Sequence, residues 1–164
     1  MAVTIAVLGV FYFTTTQGLS AAPSTTITSL DSVQHNLASG GKTRLISFYS
    51  PDCPISRRDV ANLNDLQSKF GDEPFDIIAV AMSYDDMDTI ELFEKSQPAD
   101  YSLAHDADGS IAAAFQGVRF TPTSFLIDES GNIVWRHTGK MPLQRVSTKI
   151  ESLLNDPKIA QLAR

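Results

Sequence analysis

The chain of 164 residues contains a single cysteine, Cys53, and its position favours a reactive thiol. The apolar run at residues 45–49 predicts a buried strand, and Ser50-Pro-Asp-Cys-Pro-Ile-Ser56 ends that strand and begins a helix. A sulfur at the first turn of a helix lies beside unpaired backbone N–H groups and the positive end of the helix dipole. Both features stabilise the thiolate, which is the nucleophilic form of cysteine. The sequence therefore predicts covalent chemistry at this residue.

Cys53 belongs to a Cys-x-x-Ser motif, in which Ser56 stands where a dithiol redox motif has its second cysteine. Release of a mixed disulfide must then come from an external thiol or from another sulfur of the partner. The Ser56 hydroxyl can donate a hydrogen bond to the thiolate, or the residue can serve only as a helix start. The preceding residue, Asp52, places a carboxylate that opposes ionisation of the thiol if the two groups are close. An inert, buried cysteine is the alternative interpretation.

The elements that must position this cysteine are predicted from apolar periodicity and turn residues. Helices are predicted at 30–38 with Ser29 as N-cap, and at 54–70, 86–96, 112–115 and 143–154, with a last short helix from Pro157. Strands are predicted at 44–49, 75–82, around Leu103, at 123–127 and at 133–138, the last two joined by a hairpin loop. This order predicts an α/β fold with a central mixed sheet flanked by helices.

The composition excludes one class of partner. The net charge is −6 and the isoelectric point is near 4.9, which argues against nucleic acid because phosphate binding needs a basic surface. Forty-three per cent of the residues are apolar, enough for a core that needs no disulfide. One cysteine does not reveal the redox compartment.

The N-terminal segment predicts export. Residues 2–13 are apolar and residues 14–22 are small or polar, which matches a signal-peptide core better than a membrane span of about 20 residues. No Lys or Arg precedes the run, which is atypical of an export signal, so a short uncleaved anchor and an ordinary buried element are alternatives. We expect a signal peptide or membrane anchor at 1–22, a linker at 23–29 and one domain at 30–164. The predicted location is periplasmic or otherwise extracytoplasmic.

Further motifs follow in a characteristic order along the chain. They are the segment Ser50–Ser56, the segments His105-Asp-Ala-Asp-Gly109 and Ala112-Ala-Ala-Phe115, the loop Phe120-Thr-Pro-Thr-Ser-Phe125, and then Asp128, Gly131 and Gly139. Together they resemble the thioredoxin-fold proteins of the TlpA/ResA-like branch of exported thiol-disulfide oxidoreductases. The resemblance covers about residues 30–154 and implies a thioredoxin-like fold with an extra strand-helix insertion.

The resemblance also implies a set of site residues. Pro122 corresponds to the family's cis-proline, and the backbone of Thr121 would pair with an extended substrate peptide. Asp59 corresponds to an acidic position that could tune the thiol or relay protons, with a surface carboxylate as the alternative. The predicted catalytic residues are Cys53, Ser56, Pro122, Thr121 and Asp59, and the predicted substrate contacts are Thr121, Pro54 and Arg119.

The predicted function is monothiol thiol-disulfide exchange, as an oxidoreductase or isomerase, through a mixed disulfide at Cys53. The partner would be a cysteine-containing protein or a low-molecular-weight thiol, with no cofactor. One alternative is a peroxiredoxin-like thiol peroxidase, because Ser50 completes a Ser-x-x-Cys pattern and Arg119 could supply a cation. The proline that this pattern expects earlier in the chain is Ile46 here. A non-catalytic peptide-binding or chaperone module is the other alternative.

No metal site is predicted. His35, His105 and His137 are scattered without ligand spacing. Asp106-x-Asp108-Gly109 lacks the later ligands of a calcium loop, so it predicts a turn before a helix.

Overall fold

The computed structural model describes residues 20–38 and 40–155 of the chain. The strands are β1 (Ser20–Ala21), β2 (Thr26–Thr28), β3 (Gln34–Asn36), β4 (Thr43–Tyr49), β5 (Phe75–Ala81), β6 (Ser102–His105), β7 (Thr123–Ile127) and β8 (Asn132–Thr138). The helices are α1 (Pro54–Phe70), α2 (Met87–Ser96), α3 (Ser110–Ala114) and α4 (Leu143–Leu154).

A six-stranded mixed sheet in the order β1-β8-β7-β4-β5-β6 forms the centre of the fold. The pairs β4–β5 and β5–β6 are parallel, whereas β7 is antiparallel to both β4 and β8. Strands β2 and β3 form a separate antiparallel hairpin. The predicted fold class, a mixed sheet flanked by helices, is confirmed.

Strand β4 is buried along its whole length because both faces of the sheet are covered. Side chains alternate between the faces with a period of two. Ile46 and Phe48 pack with residues of the β2–β3 hairpin and the α3 region, including Phe115. Leu45 and Tyr49 pack on the opposite face against helices α1, α2 and α4. The strand that precedes Cys53 therefore has a fixed position.

Helix α1 begins and ends where the sequence predicts. Cys53 is its N-cap, and Pro54 occupies the first helical turn, where a missing N–H costs nothing. The helix buries an apolar stripe that includes Leu63, Leu66 and Phe70, and it ends at Gly71. The stripe holds the helix against the sheet.

The helix predicted at 30–38 is wrong. Residues 34–36 form β3, and the apolar spacing that suggested a helix does not define one face, because Leu37 is fully buried while Val33 is 48% exposed. The linker predicted at 23–29 also differs from the structure. It contains β2, whose Ile27 is fully buried in the core.

The predicted signal or anchor segment lies almost entirely outside the described residues, and so does the helix predicted from Pro157. Of the N-terminal segment, Ser20–Ala21 pairs with β8 as the edge strand β1. Within residues 20–38 and 40–155, none of the helices has the length and apolar character that a membrane crossing requires.

Candidate active site

The thiol of Cys53 lies between the start of α1 and the loop that precedes β7. The residue is partly exposed and has extended backbone angles, φ −80° and ψ 115°, as expected of an N-cap. Its Sγ donates to the carbonyl oxygen of Thr121 at 3.4 Å. The fold thus joins two residues that are far apart in the sequence.

The surroundings of Cys53 favour the thiolate. Burial opposes ionisation, but the Ser56 hydroxyl, the backbone N–H groups of Ser56 and Ile55, and the Thr121 side chain together lower the pKa of the thiol. The sequence predicts a sulfur stabilised at a helix N-terminus, and the lowering groups named here act in that direction.

Ser56 is buried beneath the sulfur, with 4% of its surface exposed. Its Oγ accepts the backbone N–H of Ser50 at 3.5 Å. A hydroxyl that accepts one hydrogen bond keeps its own hydrogen to donate. The hydroxyl hydrogen is therefore available to the sulfur.

The loop that carries Thr121 is held on both sides. The Thr121–Pro122 peptide bond is cis. Gly139 donates its N–H to the Pro122 carbonyl at 2.8 Å, with a φ of 99° that a residue with a side chain rarely adopts. On the other side, the Thr123 hydroxyl donates to the Phe120 carbonyl at 2.7 Å.

Asp59 is buried, with 2% of its surface exposed, and its two carboxylate oxygens already have partners. One accepts the Met141 N–H at 2.9 Å and the other accepts the Asn62 amide at 2.9 Å. The alternative of a surface carboxylate is therefore wrong. Asp59, Ser56 and Pro122 line one cavity beneath the site.

The remaining predicted site residues lie at the surface. Pro54 is exposed directly after Cys53. Arg119 is exposed, and it forms no ion pair with any residue in the described part of the chain. Asp52 also points to solvent, and the pKa of the neighbouring thiol is lowered nonetheless. Arg57 lies over the Phe93 ring at 5.7 Å.

A contact that the sequence did not reveal lies behind the active-site turn, which is formed by residues 50–53. The Ser50 hydroxyl donates to Oδ1 of Asp85 at 2.7 Å, and both residues are buried. Asp85 stands in the acidic segment Asp85-Asp86-Met87-Asp88, where nothing in the sequence distinguishes a buried carboxylate from exposed ones. Only the fold brings this loop to Ser50.

The histidines do not converge. His137 stacks on Trp135 and contacts the Lys140 carbonyl, away from the thiol. Among the residues that the structure describes, no group of three metal-binding side chains comes together. Asp106 accepts the N–H groups of Ile111 and Ala112, so the segment predicted as a turn before a helix has that role.

The chain is similar to curated proteins that are named as thiol-disulfide oxidoreductases. The chain is 29% identical over 111 residues to the thiol-disulfide oxidoreductase ResA of Halalkalibacterium halodurans, covering 68% of this chain and 62% of the relative. It is 25% identical over 133 residues to ResA of Bacillus thuringiensis subsp. konkukian, covering 80% and 76%. The chain thus spans less than two thirds of the first relative's length.

Solved structures show the same fold. A putative thiol:disulfide interchange protein DsbE from Chlorobium tepidum superposes with a TM-score of 0.76 at 24% identity, over 85% of this chain and 99% of that one. StoA from Bacillus subtilis superposes with a TM-score of 0.69 at 17% identity, over 79% and 98%. The Redoxin family model matches residues 17–154, which include every element that positions Cys53. The chain therefore belongs to the Redoxin family.

Proposed function

We propose that this protein carries out thiol-disulfide exchange with Cys53 as its only nucleophile. The observation that carries the proposal is the position of the sulfur. It is partly exposed at the N-terminus of α1, its pKa is lowered by hydrogen bonds, and it lies 3.4 Å from the Thr121 carbonyl. A thiolate that is both stabilised and accessible is the form that attacks disulfides.

The exchange balances without a second protein thiol. The Cys53 thiolate attacks one sulfur of a partner disulfide, a mixed disulfide forms, and the other partner sulfur leaves as a thiolate. An external thiolate, or a second sulfur of the partner, then attacks the partner sulfur of the mixed disulfide and expels Cys53 as a thiolate. The protein returns to its starting state with no net change in oxidation. These two steps suit isomerisation, or exchange with a small thiol, better than net oxidation of a dithiol.

The loop beside the sulfur offers a docking edge for the partner. The Thr121 carbonyl accepts the Cys53 thiol hydrogen before reaction. Once the sulfur is in a mixed disulfide it has no hydrogen to donate, so this carbonyl becomes available to an N–H of an extended peptide. The proposed partner is therefore a cysteine-containing polypeptide or a small thiol-containing peptide. Pro54 and Arg119, which are both exposed, are the other proposed substrate contacts.

The relatives named as thiol-disulfide oxidoreductases support the same chemistry. An exported or membrane-anchored location is part of the proposal, and it rests on the apolar run at residues 2–13. We also assign Asp59 to the proposed site, because this buried acid lines the same cavity as Ser56.

The peroxidase alternative finds less support in the geometry. It needs the Ser50 hydroxyl and a cation at the sulfur, but that hydroxyl donates its one hydrogen to Asp85. Arg119 points to solvent. The non-catalytic alternative, a peptide-binding or chaperone module, needs no reactive sulfur. A variant without the Cys53 sulfur distinguishes the two, because it would lose exchange and keep peptide binding.

The test is covalent capture of a defined disulfide. The reduced protein is mixed with a synthetic peptide disulfide, and adducts are measured by intact mass with wild type, Cys53→Ala and Ser56→Cys. We expect an adduct of one peptide on wild type and none on Cys53→Ala. The Ser56→Cys variant adds a resolving thiol one helical turn away, so we expect its adduct to disappear more than about tenfold faster.

Two results would overturn the proposal. One is the absence of any adduct on the reduced, folded wild-type protein. The other is rapid consumption of hydrogen peroxide with formation of a sulfenic acid at Cys53 while peptide disulfides are ignored, which would establish the peroxidase instead.

A further inference from the structure

Asp85 is a buried carboxylate that the exchange chemistry does not use. It lies in the loop between β5 and α2, with 7% of its surface exposed. Its Oδ1 accepts the Ser50 hydroxyl at 2.7 Å, while its Oδ2 is buried and has no hydrogen-bond partner within residues 20–38 and 40–155. Burying a carboxylate with one oxygen unpaired costs free energy, so the one side-chain hydrogen bond it accepts calls for an explanation.

Capping of α2 does not provide that explanation. The neighbouring Asp86 is the N-cap, and its carboxylate accepts both the N–H and the hydroxyl of Thr89 at 2.8 and 2.9 Å. The Asp85 side chain points the other way, toward the turn that carries Cys53. Its function is therefore to be sought at Ser50.

Ser50 contacts both residues of the Cys-x-x-Ser motif. Its carbonyl accepts the Cys53 N–H at 3.0 Å, and its own N–H donates to the Ser56 hydroxyl at 3.5 Å. The side-chain hydroxyl is the third contact, and it ends on Asp85. A shift of Ser50 would move the cysteine backbone and the Ser56 hydroxyl together.

We propose that Asp85 is a positioning residue for Cys53. Asp85 fixes Ser50, and Ser50 fixes the active-site turn. This turn sets the sulfur against Ser56 and Thr121. This inference rests on the proposed exchange function and adds a residue to its machinery. Asp85 bonds to Ser50 and forms no hydrogen bond with the sulfur, so it is not catalytic.

The groups around Asp85 come from three elements. His105 at the end of β6 has a buried Nε2 without a partner in the described part of the chain, and the Tyr49 hydroxyl at the end of β4 is also buried. Asp52 lies on the active-site turn. Burial raises the pKa of Asp85, the Ser50 hydroxyl and the Met82 backbone oppose this effect, Asp52 adds to it and His105 opposes it. The contact therefore combines a hydrogen bond with a charge, and the two contributions can be separated by substitution.

The experiment compares Asp85→Ala, Asp85→Asn and Ser50→Ala, with Asp86→Ala as the matched control in the same loop. The rate of alkylation of Cys53 by iodoacetamide is measured against pH, which gives the thiol pKa and the rate constant of the thiolate. Circular dichroism reports folding in parallel. Asp85→Asn keeps an acceptor oxygen and loses the charge, whereas Asp85→Ala loses both.

We expect Asp85→Ala and Ser50→Ala to raise the thiol pKa by about half a unit to one unit, which slows alkylation below that pKa by about two- to fourfold, since the remaining thiolate is more nucleophilic. The double variant should be no worse than either single variant, because both remove the same bond. Asp85→Asn should keep the wild-type pKa or lower it, since the acceptor remains and a negative charge is gone. Asp86→Ala should lose helix-cap stability and leave the alkylation profile unchanged.

A wild-type profile for both Ser50→Ala and Asp85→Ala would overturn the positioning function. So would an equal shift in Asp86→Ala, because the effect would then be a general loosening of the loop. If Asp85→Ala does not fold, Ser50→Ala and Asp85→Asn decide the question alone. The alkylation profile does not depend on any partner disulfide, so failure of the exchange proposal in the capture experiment remains a separate result.

Discussion

Replacement of Ser56 with alanine tests how far one hydroxyl controls the reactivity of Cys53. The hydroxyl is one of the groups that lower the thiol pKa, and it is buried beneath the sulfur. A hydrogen bond to a charged group contributes about 1.5–3 kcal/mol, and the partial exposure of the sulfur places this one at the lower end. About 1.4 kcal/mol corresponds to one pKa unit. We therefore expect Ser56→Ala to raise the thiol pKa by about one unit.

The assay measures the far-ultraviolet absorbance of the thiolate as a function of pH. The rate of alkylation is measured over the same pH range. Well below the thiol pKa, one unit means about tenfold less thiolate, and alkylation slows by about threefold because the more basic thiolate is the stronger nucleophile. The matched control is Ser47→Ala, which removes another buried serine hydroxyl from β4. That hydroxyl pairs with Ser124 at 3.1 Å and has no contact with Cys53.

The reasoning would be refuted by a Ser56→Ala protein whose thiol titrates as wild type. It would equally be refuted if Ser47→Ala moved the titration by the same amount, because a general disturbance beneath the site would then account for the shift. A drop in thermal stability of Ser56→Ala alone would not count, since the Ser50 N–H also loses its acceptor in this variant.

Three further predictions follow from the site. Asp59→Ala should lower the free energy of unfolding in urea by about 1–3 kcal/mol, because it leaves the buried Met141 N–H unpaired, while Asp59→Asn should cost less. Burial raises the pKa of Asp85, so the ionised carboxylate destabilises the fold. Asp85→Asn should therefore be more stable than wild type at neutral pH. Thermal denaturation should show that this difference in stability vanishes as the pH falls below about 3.9. Because hydrogen bonds rather than ion pairs lower the Cys53 pKa, its alkylation profile should stay in place from about 0.1 to about 1 M salt, where the screening length falls from about 10 to about 3 Å. A profile that moves upward with salt would assign the effect to the nearby arginines.

The sequence predicts most of the fold because its elements carry strong local signals. Helix α1 has a proline at its first turn, a regular apolar stripe and a glycine at its end, and its predicted bounds are correct. Strand β5 is apolar except for Asp76 near its start, as a parallel strand buried on both faces requires. The failure at residues 30–38 has a specific cause. Three apolar residues at helical spacing mimic an amphipathic helix, although the burial of Ile27 and Leu37 comes from a hairpin that packs on the sheet.

The site is predictable only in part, for a different reason. Cys53 and Ser56 are neighbours in sequence, so local reasoning relates them. Thr121 was associated with them through the family resemblance, and the structure places its carbonyl oxygen at the sulfur. Asp85 had neither a local signal nor a motif. Its burial depends on how the β5–α2 loop folds over the active-site turn, which is a long-range property of the sheet order.

A site with one sulfur must solve the problem of release, and the geometry around Cys53 offers a solution. In thiol-disulfide exchange, a leaving thiol of lower pKa leaves faster. The Ser56 hydroxyl and the backbone N–H groups of α1 stabilise the Cys53 thiolate when it attacks, and they stabilise it again when an external thiol expels it from a mixed disulfide. The same hydrogen bonds therefore promote both steps. It follows that the concentration of the external thiol sets the lifetime of the adduct, and that Ser56→Ala should prolong this lifetime as well as slow its formation.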